Sequence, residues 1–336
     1  MKKHVRKISI IGDGGWGTTL AVHLATKGFA VDLWGPFPAY VNEMQKKRSN
    51  PKFLPGIRIP SNVSIVSDLK QTLEQADIIV LATPSQYLQG VLKKIKFSHA
   101  DLSNKVFLSV IKGIDTRRFY RMSEIIHQEL GRNIHLAVLS GPTIAMELAQ
   151  GIATTAVIAS RNPRVANQLQ NIFNSTTFRI YTNRDVAGVE LGGSLKNVIA
   201  IACGACDGLG LGTNTKAAIL TRGLAEMARL GKAMGANVDT FYGLSGLGDL
   251  TTTCFSPRSR NRTVGEQLGK GKNIRQILSH MEMVAEGVAT VKAVVQLSRK
   301  YRIPMPISTE VYNIIYKKKK AKQALADLMT RQTKPE

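Results

Sequence analysis

SIIGDGGWGTTLAVHLATKGFAVDLWG, from Ser9 to Gly35, sets three glycines, Gly12, Gly14 and Gly17, between an apolar run and a helical one. The run KISII has strand length, TTLAVHLATKG reads as a helix, and AVDLW reads as a second strand. Glycines at such a joint let a pyrophosphate approach bare backbone and rest on the helix N-terminus, where unpaired N–H groups and the dipole favour anions. Strand, glycine turn, helix and second strand within about 30 residues form the context that a dinucleotide-binding fingerprint requires. A tight strand-to-helix turn without a ligand would use the same glycines.

In such a unit an acidic residue at the end of the second strand holds the ribose of NAD. Asp32 lies inside the strand rather than at its end, and WGPFP beyond it has neither Asp nor Arg. These residues leave NAD and NADP open. Lys46, Lys47 and Arg48 could meet a 2′-phosphate, and a solvated helix end explains them equally well.

Outward from this stretch, segments of strand length recur at about 7–11, 30–34, 62–66, 77–82, 105–110, 134–139, 153–159 and 177–181. Helical stretches such as 17–27, 84–94, 120–130 and 163–173 separate many of them, and this alternation predicts parallel strands joined by crossover helices. After Asp185 helical runs follow one another, at about 186–206, 213–234, 262–270, 274–280, 287–301, 308–317 and 321–329. The fold class expected is an α/β, Rossmann-like N-terminal dinucleotide-binding domain, residues 1–187, plus an all-α C-terminal domain, residues 188–336, for substrate binding and catalysis. A chain of 336 residues with 43% apolar side chains suffices for two cores.

The formal net charge of +23 is high for a globular enzyme and admits nucleic acid, anionic membrane or phosphorylated small molecules as partners. The charge is spread over KKHVRK at the start, QKKRSN at 45–50, RSRNR at 258–262 and KKKKAK at 317–322. No basic helical face is interleaved with aromatics, so no nucleic-acid reader is expected. No run of 18 apolar residues and no signal-like start occur, so a cytoplasmic protein without integral membrane association is expected. The three cysteines, Cys203, Cys206 and Cys254, are too few for a disulfide framework, and CGAC within an apolar helical run reads as buried thiols rather than a metal or redox pair. His23, His127 and His135 have no partners at ligand spacing, and no metal is expected.

Ligands of an open parallel sheet lie beyond the carboxyl ends of its strands. Three such ends are chemically unusual: Thr83-Pro84, Lys112-Gly113, and Ser140-Gly141-Pro142-Thr143, where Pro142 can start a helix. In the second half, GVELGGSLKNVIAIACGA carries only two charged side chains, Glu190 and Lys196. Lys196 either reaches out to water along its stem or is held in a cleft for acid–base work. Asp249, alone in GLSGLGDLTTTC, is a natural partner to orient it. Arg260 and Asn261 offer a planar fork for phosphate oxygens and an amide for a hydroxyl, unless the loop is simply solvated. Trp16 either flanks a cofactor or packs the first helix.

The segments IIGDGGWGTTLA, FLPGI, SVIKGI, SGPT, VELGGSLKNVIAIACG, TRGLAEMARLG, GLGDLTTTC, SRNR and VAEG occur in an order that resembles the bacterial NAD(P)-dependent glycerol-3-phosphate dehydrogenases, from about residue 7 to residue 320. LKNVIAIACG and GLGDLTTTC followed by RNR are specific to that family; the glycine fingerprint is not. The resemblance implies that Lys196 exchanges a proton with the substrate C2 oxygen, with Lys112 and Asp249 completing the polar site. It implies substrate binding by Lys112, Gly141, Thr143, Lys196, Asp249, Ser259, Arg260 and Asn261. Gly12, Gly14, Gly15, Trp16, Gly17, Lys112, Ala145, Arg260, Val284 and Glu286 match positions around the dinucleotide, NAD or NADP. The implied reaction is hydride transfer between the cofactor and the dihydroxyacetone phosphate/sn-glycerol 3-phosphate pair, feeding phospholipid synthesis, in a homodimer. Many members carry a basic residue after the second strand; this chain has Pro36. A hydroxy-acid dehydrogenase with a helical second domain and a non-enzymatic dinucleotide sensor are the alternatives left open by the residues alone.

Overall fold

The computed structural model of the chain describes Val5, residues 7–333 and Pro335. Residues 2–4 and Arg6 of the basic run KKHVRK lie outside the described residues. The strands are β1 (Lys7–Ile11), β2 (Ala30–Trp34), β3 (Ser49–Asn50), β4 (Leu54–Arg58), β5 (Val63–Val66), β6 (Ile78–Leu81), β7 (Val106–Ser109), β8 (His135–Ser140), β9 (Thr154–Ala159) and β10 (Phe178–Asn183). Each of the eight strands expected from the sequence occurs, within two residues of its expected ends. The hairpin β3–β4 was not among them: its strands span two and five residues, and Pro55-Gly56 interrupts any alternation.

Eight strands form one sheet in the order β10-β9-β8-β7-β6-β1-β2-β5. Every residue of β6 (IIVL) and β7 (VFLS) is buried, the continuous apolar run of a sheet covered on both faces. Helix Pro163–Phe173 shows how the covering helices are built. Asn162 caps it by accepting from the Arg164 N–H, a proline opens it, and Val165, Ala166, Leu169, Ile172 and Phe173 make its buried stripe.

The sheet departs from the expected all-parallel order at one pair: β9 runs antiparallel to β8. Between them lies only the five-residue helix Ala145–Ala149. That helix rises ~7.5 Å. A six-residue strand spans roughly 20 Å. The helix is too short to carry the chain back along the strand, and the chain turns at one end of the sheet.

The described chain divides into two compact units: one from the residues up to Lys112 together with Arg121–Val189, the other from Gly113–Tyr120 together with the residues from Glu190 on. From residue 186 on, no strand occurs among the described residues. The long helix Val186–Gly208 is the one described helix long and apolar enough to cross a membrane, and 89% of its apolar stretch is buried inside the protein. Within the second unit Ser194 Oγ donates to Gly113 O at 3.0 Å, tying the 113–120 segment to this helix.

His23, on helix Gly15–Thr26, is buried with Nε2 2.7 Å from the Phe173 carbonyl and its ring edge-on to Phe178. Burial pulls its pKa below the ordinary value of 6.5, so above that pH the ring is neutral in both folded and unfolded chains. As pH falls through 6.5 the unfolded chain takes up the proton first, and stability is lost until the folded pKa is passed. Urea unfolding between pH 7.5 and 5 is expected to show this loss, and the acid slope to be shallower in His23→Gln.

Candidate active site

Strand order reverses between β1 and β6, with β2 and β5 on one side and β7 onward on the other. That reversal is where open parallel sheets bind ligands. Gly12, just after β1, donates its N–H to Trp34 O at 3.0 Å, and Ala82, just after β6, donates to Ile11 O at 2.9 Å. Gly12 has φ +129°, and a Cβ there would lie 2.8 Å from the Ala82 backbone. A Cβ on Gly17 would lie 2.0 Å from the Gly12 carbonyl. Gly14 differs from both, since a Cβ there would meet nothing within 4 Å. Gly12 and Gly17 are therefore demanded by packing, whereas Gly14 leaves an open approach to the helix end.

That end belongs to helix Gly15–Thr26, which has no side-chain cap and no acidic residue in its first turn. Its first amides are left for an anion. Trp16 Nε1, Asp13 Oδ2, Thr83 Oγ1 and Ser140 Oγ are buried without hydrogen-bond partners, and all four follow or end β1, β6 or β8. Buried polar atoms are normally paired. Bare amides, two hydroxyls, an indole N–H and a carboxylate oxygen suit a ligand carrying both phosphates and sugar hydroxyls, and these residues fit a dinucleotide. Trp16 also packs edge-on to Phe178.

Ala145 stands beside the same helix: Thr19 Oγ1 donates to Gly15 O at 2.8 Å and Ala145 O at 3.1 Å. Lys112 reaches from beyond β7 to Gly141 O at 2.9 Å and Thr143 Oγ1 at 3.1 Å. The ends of β7 and β8 are thus joined by one ammonium. Arg48 and Lys47 are committed elsewhere, Arg48 to the carbonyls of Pro60 and Val63 and Lys47 to Glu43.

In the second unit Lys196 is 5% and Asp249 1% exposed. Lys196 Nζ lies 2.6 Å from Asp249 Oδ1 and 2.5 Å from Thr253 Oγ1, and Thr253 Oγ1 donates in turn to Asp249 O at 2.6 Å. The lysine is held inside rather than reaching to water. Breaking such a pair by deleting one partner costs about 3–5 kcal/mol. The chain enters Asp249–Phe255 through a π turn at Leu244–Gly248, and a Cβ on Gly192 would sit 2.5 Å from Ser245 O. Bare backbone on the lysine helix thus lets the carboxylate helix come within hydrogen-bond reach.

Thr253 was missed in the sequence, although its spacing of four from Asp249 puts both on one helix face. Asn197 was missed too. Its Oδ1 accepts from Asn261 Nδ2 at 2.9 Å, and Asn261 Oδ1 accepts from the Gly287 N–H at 2.9 Å. Asn261 thereby braces three helices, adjoining Lys196 through Asn197 and Glu286 through Gly287. Ser259 caps helix Arg260–Gly269 by accepting from the Arg262 N–H, and exposed Arg260 donates to Val284 O at 2.8 Å. Arg260, Val284 and Glu286 are brought together, Glu286 acting electrostatically on the guanidinium.

The three cysteines are free and buried. Cys206 is pushed up to about 12 by burial, and Cys203 is pushed upward by its hydrogen bond with Cys254 and by burial. Neutral thiols of this kind are poor nucleophiles and poor metal ligands. Among the described residues no group of three or more His, Cys, Asp or Glu is placed to hold a metal ion.

Bare helix amides at the switch point of a parallel sheet make the first unit one of the dinucleotide-binding class. Family models for the N-terminus and the C-terminus of NAD-dependent glycerol-3-phosphate dehydrogenase match residues 7–166 and 185–326. The glycerol-3-phosphate dehydrogenase [NAD(P)+] of Prosthecochloris aestuarii is 46% identical over 331 residues, covering 98% of this chain and 99% of the relative. That of Chlorobium phaeobacteroides is 46% identical over 332 residues, with the same shares. The crystal structure of glycerol-3-phosphate dehydrogenase from Coxiella burnetii superposes with a TM-score of 0.93 at 37% identity, covering 97% of this chain and 99% of that one. The chain belongs to the NAD-dependent glycerol-3-phosphate dehydrogenase family.

The glycines separate by experiment. Gly12→Ala is expected to lose about 1–3 kcal/mol in urea unfolding, through its positive φ and its close approach to Ala82. Gly14→Ala is expected to stay within about 0.5 kcal/mol of the parent, while weakening dinucleotide binding measured by calorimetry.

Proposed function

We propose that this chain interconverts dihydroxyacetone phosphate and sn-glycerol 3-phosphate with NAD or NADP, residues 1–187 holding the dinucleotide and residues 188–336 the substrate. The observation that carries this reading is the buried Lys196 ammonium, oriented by Asp249 and Thr253, in a chain of this family. When bound, a nicotinamide dinucleotide supplies the hydride that reduces the substrate carbonyl carbon. Lys196 Nζ gives a proton to the C2 oxygen in that direction and takes it back in the other. Asp249 and Thr253 set the direction of Nζ, so the proton is delivered without a search through rotamers.

Arg260 meets the phosphate, its planar fork matching two oxygens. Ser259 and Asn261 hold it there, the first by starting its helix and the second by bracing the neighbouring helices. Lys112, Gly141 and Thr143 complete the polar contacts to substrate. Gly12, Gly14, Gly15, Trp16, Gly17 and Ala145 bind the dinucleotide, with Lys112, Arg260, Val284 and Glu286 near it. A net charge of +23 favours capture of a dianionic substrate. The family resemblance extends the reading to a cytoplasmic homodimer whose glycerol 3-phosphate enters phospholipid synthesis.

The test is the initial rate of NADH and NADPH oxidation with dihydroxyacetone phosphate. Lys196→Ala is expected to lower kcat by about 10²–10⁴-fold, with dinucleotide affinity nearly unchanged; normal turnover would sink the assignment. Arg260→Ala is expected to raise KM for dihydroxyacetone phosphate by roughly 10–100-fold, and an unchanged KM would remove Arg260 from the phosphate site.

A further inference from the structure

Beyond Trp34 the chain runs Gly35, Pro36, Phe37, with no carboxylate where a dinucleotide fold grips the ribose. The structure fills that place from the neighbouring strand. Asp13 follows Gly12, whose N–H is bonded to Trp34 O at 3.0 Å, so the loop after β1 is tied to the last residue of β2. A Cβ on Gly35 would lie 2.3 Å from Asp13 Oδ2 and 2.8 Å from its Cγ. The Asp13 carboxylate thus occupies the space that a side chain at residue 35 would take.

This carboxylate is not spent on the fold. Asp13 is 8% exposed, and its Oδ2 is buried without a hydrogen-bond partner. The nearby Gly35 N–H is already used by Val66 O at 3.0 Å. Burial pushes the carboxyl above its ordinary range, against the pull of its own backbone N–H and of Lys52, whose Nζ lies over the Phe53 ring. An acceptor that is buried and unpaired at a ligand-binding strand end is satisfied by donors that arrive with the ligand. A 2′-phosphate brings negative charge and no such donors at neutral pH. Arg48, the guanidinium closest in sequence after β2, is bonded to the Pro60 and Val63 carbonyls.

We propose that Asp13 is the ribose-binding acid of this chain: its carboxylate accepts from the adenosine ribose hydroxyls and excludes a 2′-phosphate, making NAD the working cofactor. The proposal rests on the dinucleotide-dependent reading above, which leaves NAD and NADP open.

The test is calorimetric titration of the full-length protein with NADH, NADPH, 5′-AMP and 2′,5′-ADP. The unmodified protein is expected to bind NADH over NADPH, and 5′-AMP over 2′,5′-ADP, by at least about tenfold. Asp13→Asn, which keeps the shape and removes the charge, is expected to shrink both ratios by about tenfold, chiefly by tightening the 2′-phosphorylated ligands. Equal or reversed preference in the unmodified protein overturns the proposal without any variant, as does an Asp13→Asn that shifts all four ligands by one factor. Failure to bind any dinucleotide overturns the dehydrogenase reading along with it. NADH-selective binding without turnover of dihydroxyacetone phosphate leaves Asp13 assigned and overturns the substrate instead.

Discussion

The Gly12 amide donates to the Trp34 carbonyl while its Cα stands against the Ala82 backbone, a contact open only to a residue without a Cβ. Three strands, β1, β2 and β6, are drawn together at their carboxyl ends by that small volume. Gly17, lying over the Gly12 carbonyl, extends the same economy to the start of the helix. The bare helix end, the open space beside Gly14 and the set of unpaired polar atoms around it all follow from this packing. A single methyl group at Gly12 or Gly17 would move the helix away from the sheet, and the anion site with it.

The helical unit is organised around a different constraint, the cost of keeping an ammonium out of water. Removing two charges from solvent is repaid only when geometry is close and the remaining hydrogen-bonding positions are filled. Around Lys196 the filling is done by Asp249 and Thr253, and the closeness is made possible by Gly192 meeting the backbone of the π turn. π turns inside helical segments recur at functional sites, because the extra residue redirects the side chains that follow. Here it directs Asp249. The neighbouring Asn197–Asn261–Gly287 chain then ties the helices that carry Arg260 and Glu286 to the lysine helix, so these residues share one framework.

The large positive charge is partly neutralised in place. Asp207 takes both Lys216 and Arg262, and Lys319 of the KKKK run lies 2.5 Å from Glu310 and Asp327. What is left over acts as a field rather than as a patch, and such a field speeds capture of small anions without selecting among them. Selection among small anions has to come from local geometry.

The sequence by itself determined the eight strands of the main sheet, many of the helices, the change from mixed to helical texture near residue 185, the bare backbone of the glycine turn and the isolated charges Lys196 and Asp249. These are local properties: side-chain period, the missing Cβ and a charge among apolar neighbours are all written within a few residues. Only the tertiary structure decided that β9 runs back along β8, because strand direction is set by the path of the connection and the pairing of the strand and not by the residues within it. Only it brought Thr253 to Lys196 across 57 positions of sequence, and Asn261 to Asn197 across 64. It also laid Asp13 over the end of a strand to which it does not belong. Partners so far apart in the chain leave no periodic trace, since their meeting is fixed by helix packing and strand order rather than by any property of the residues between them.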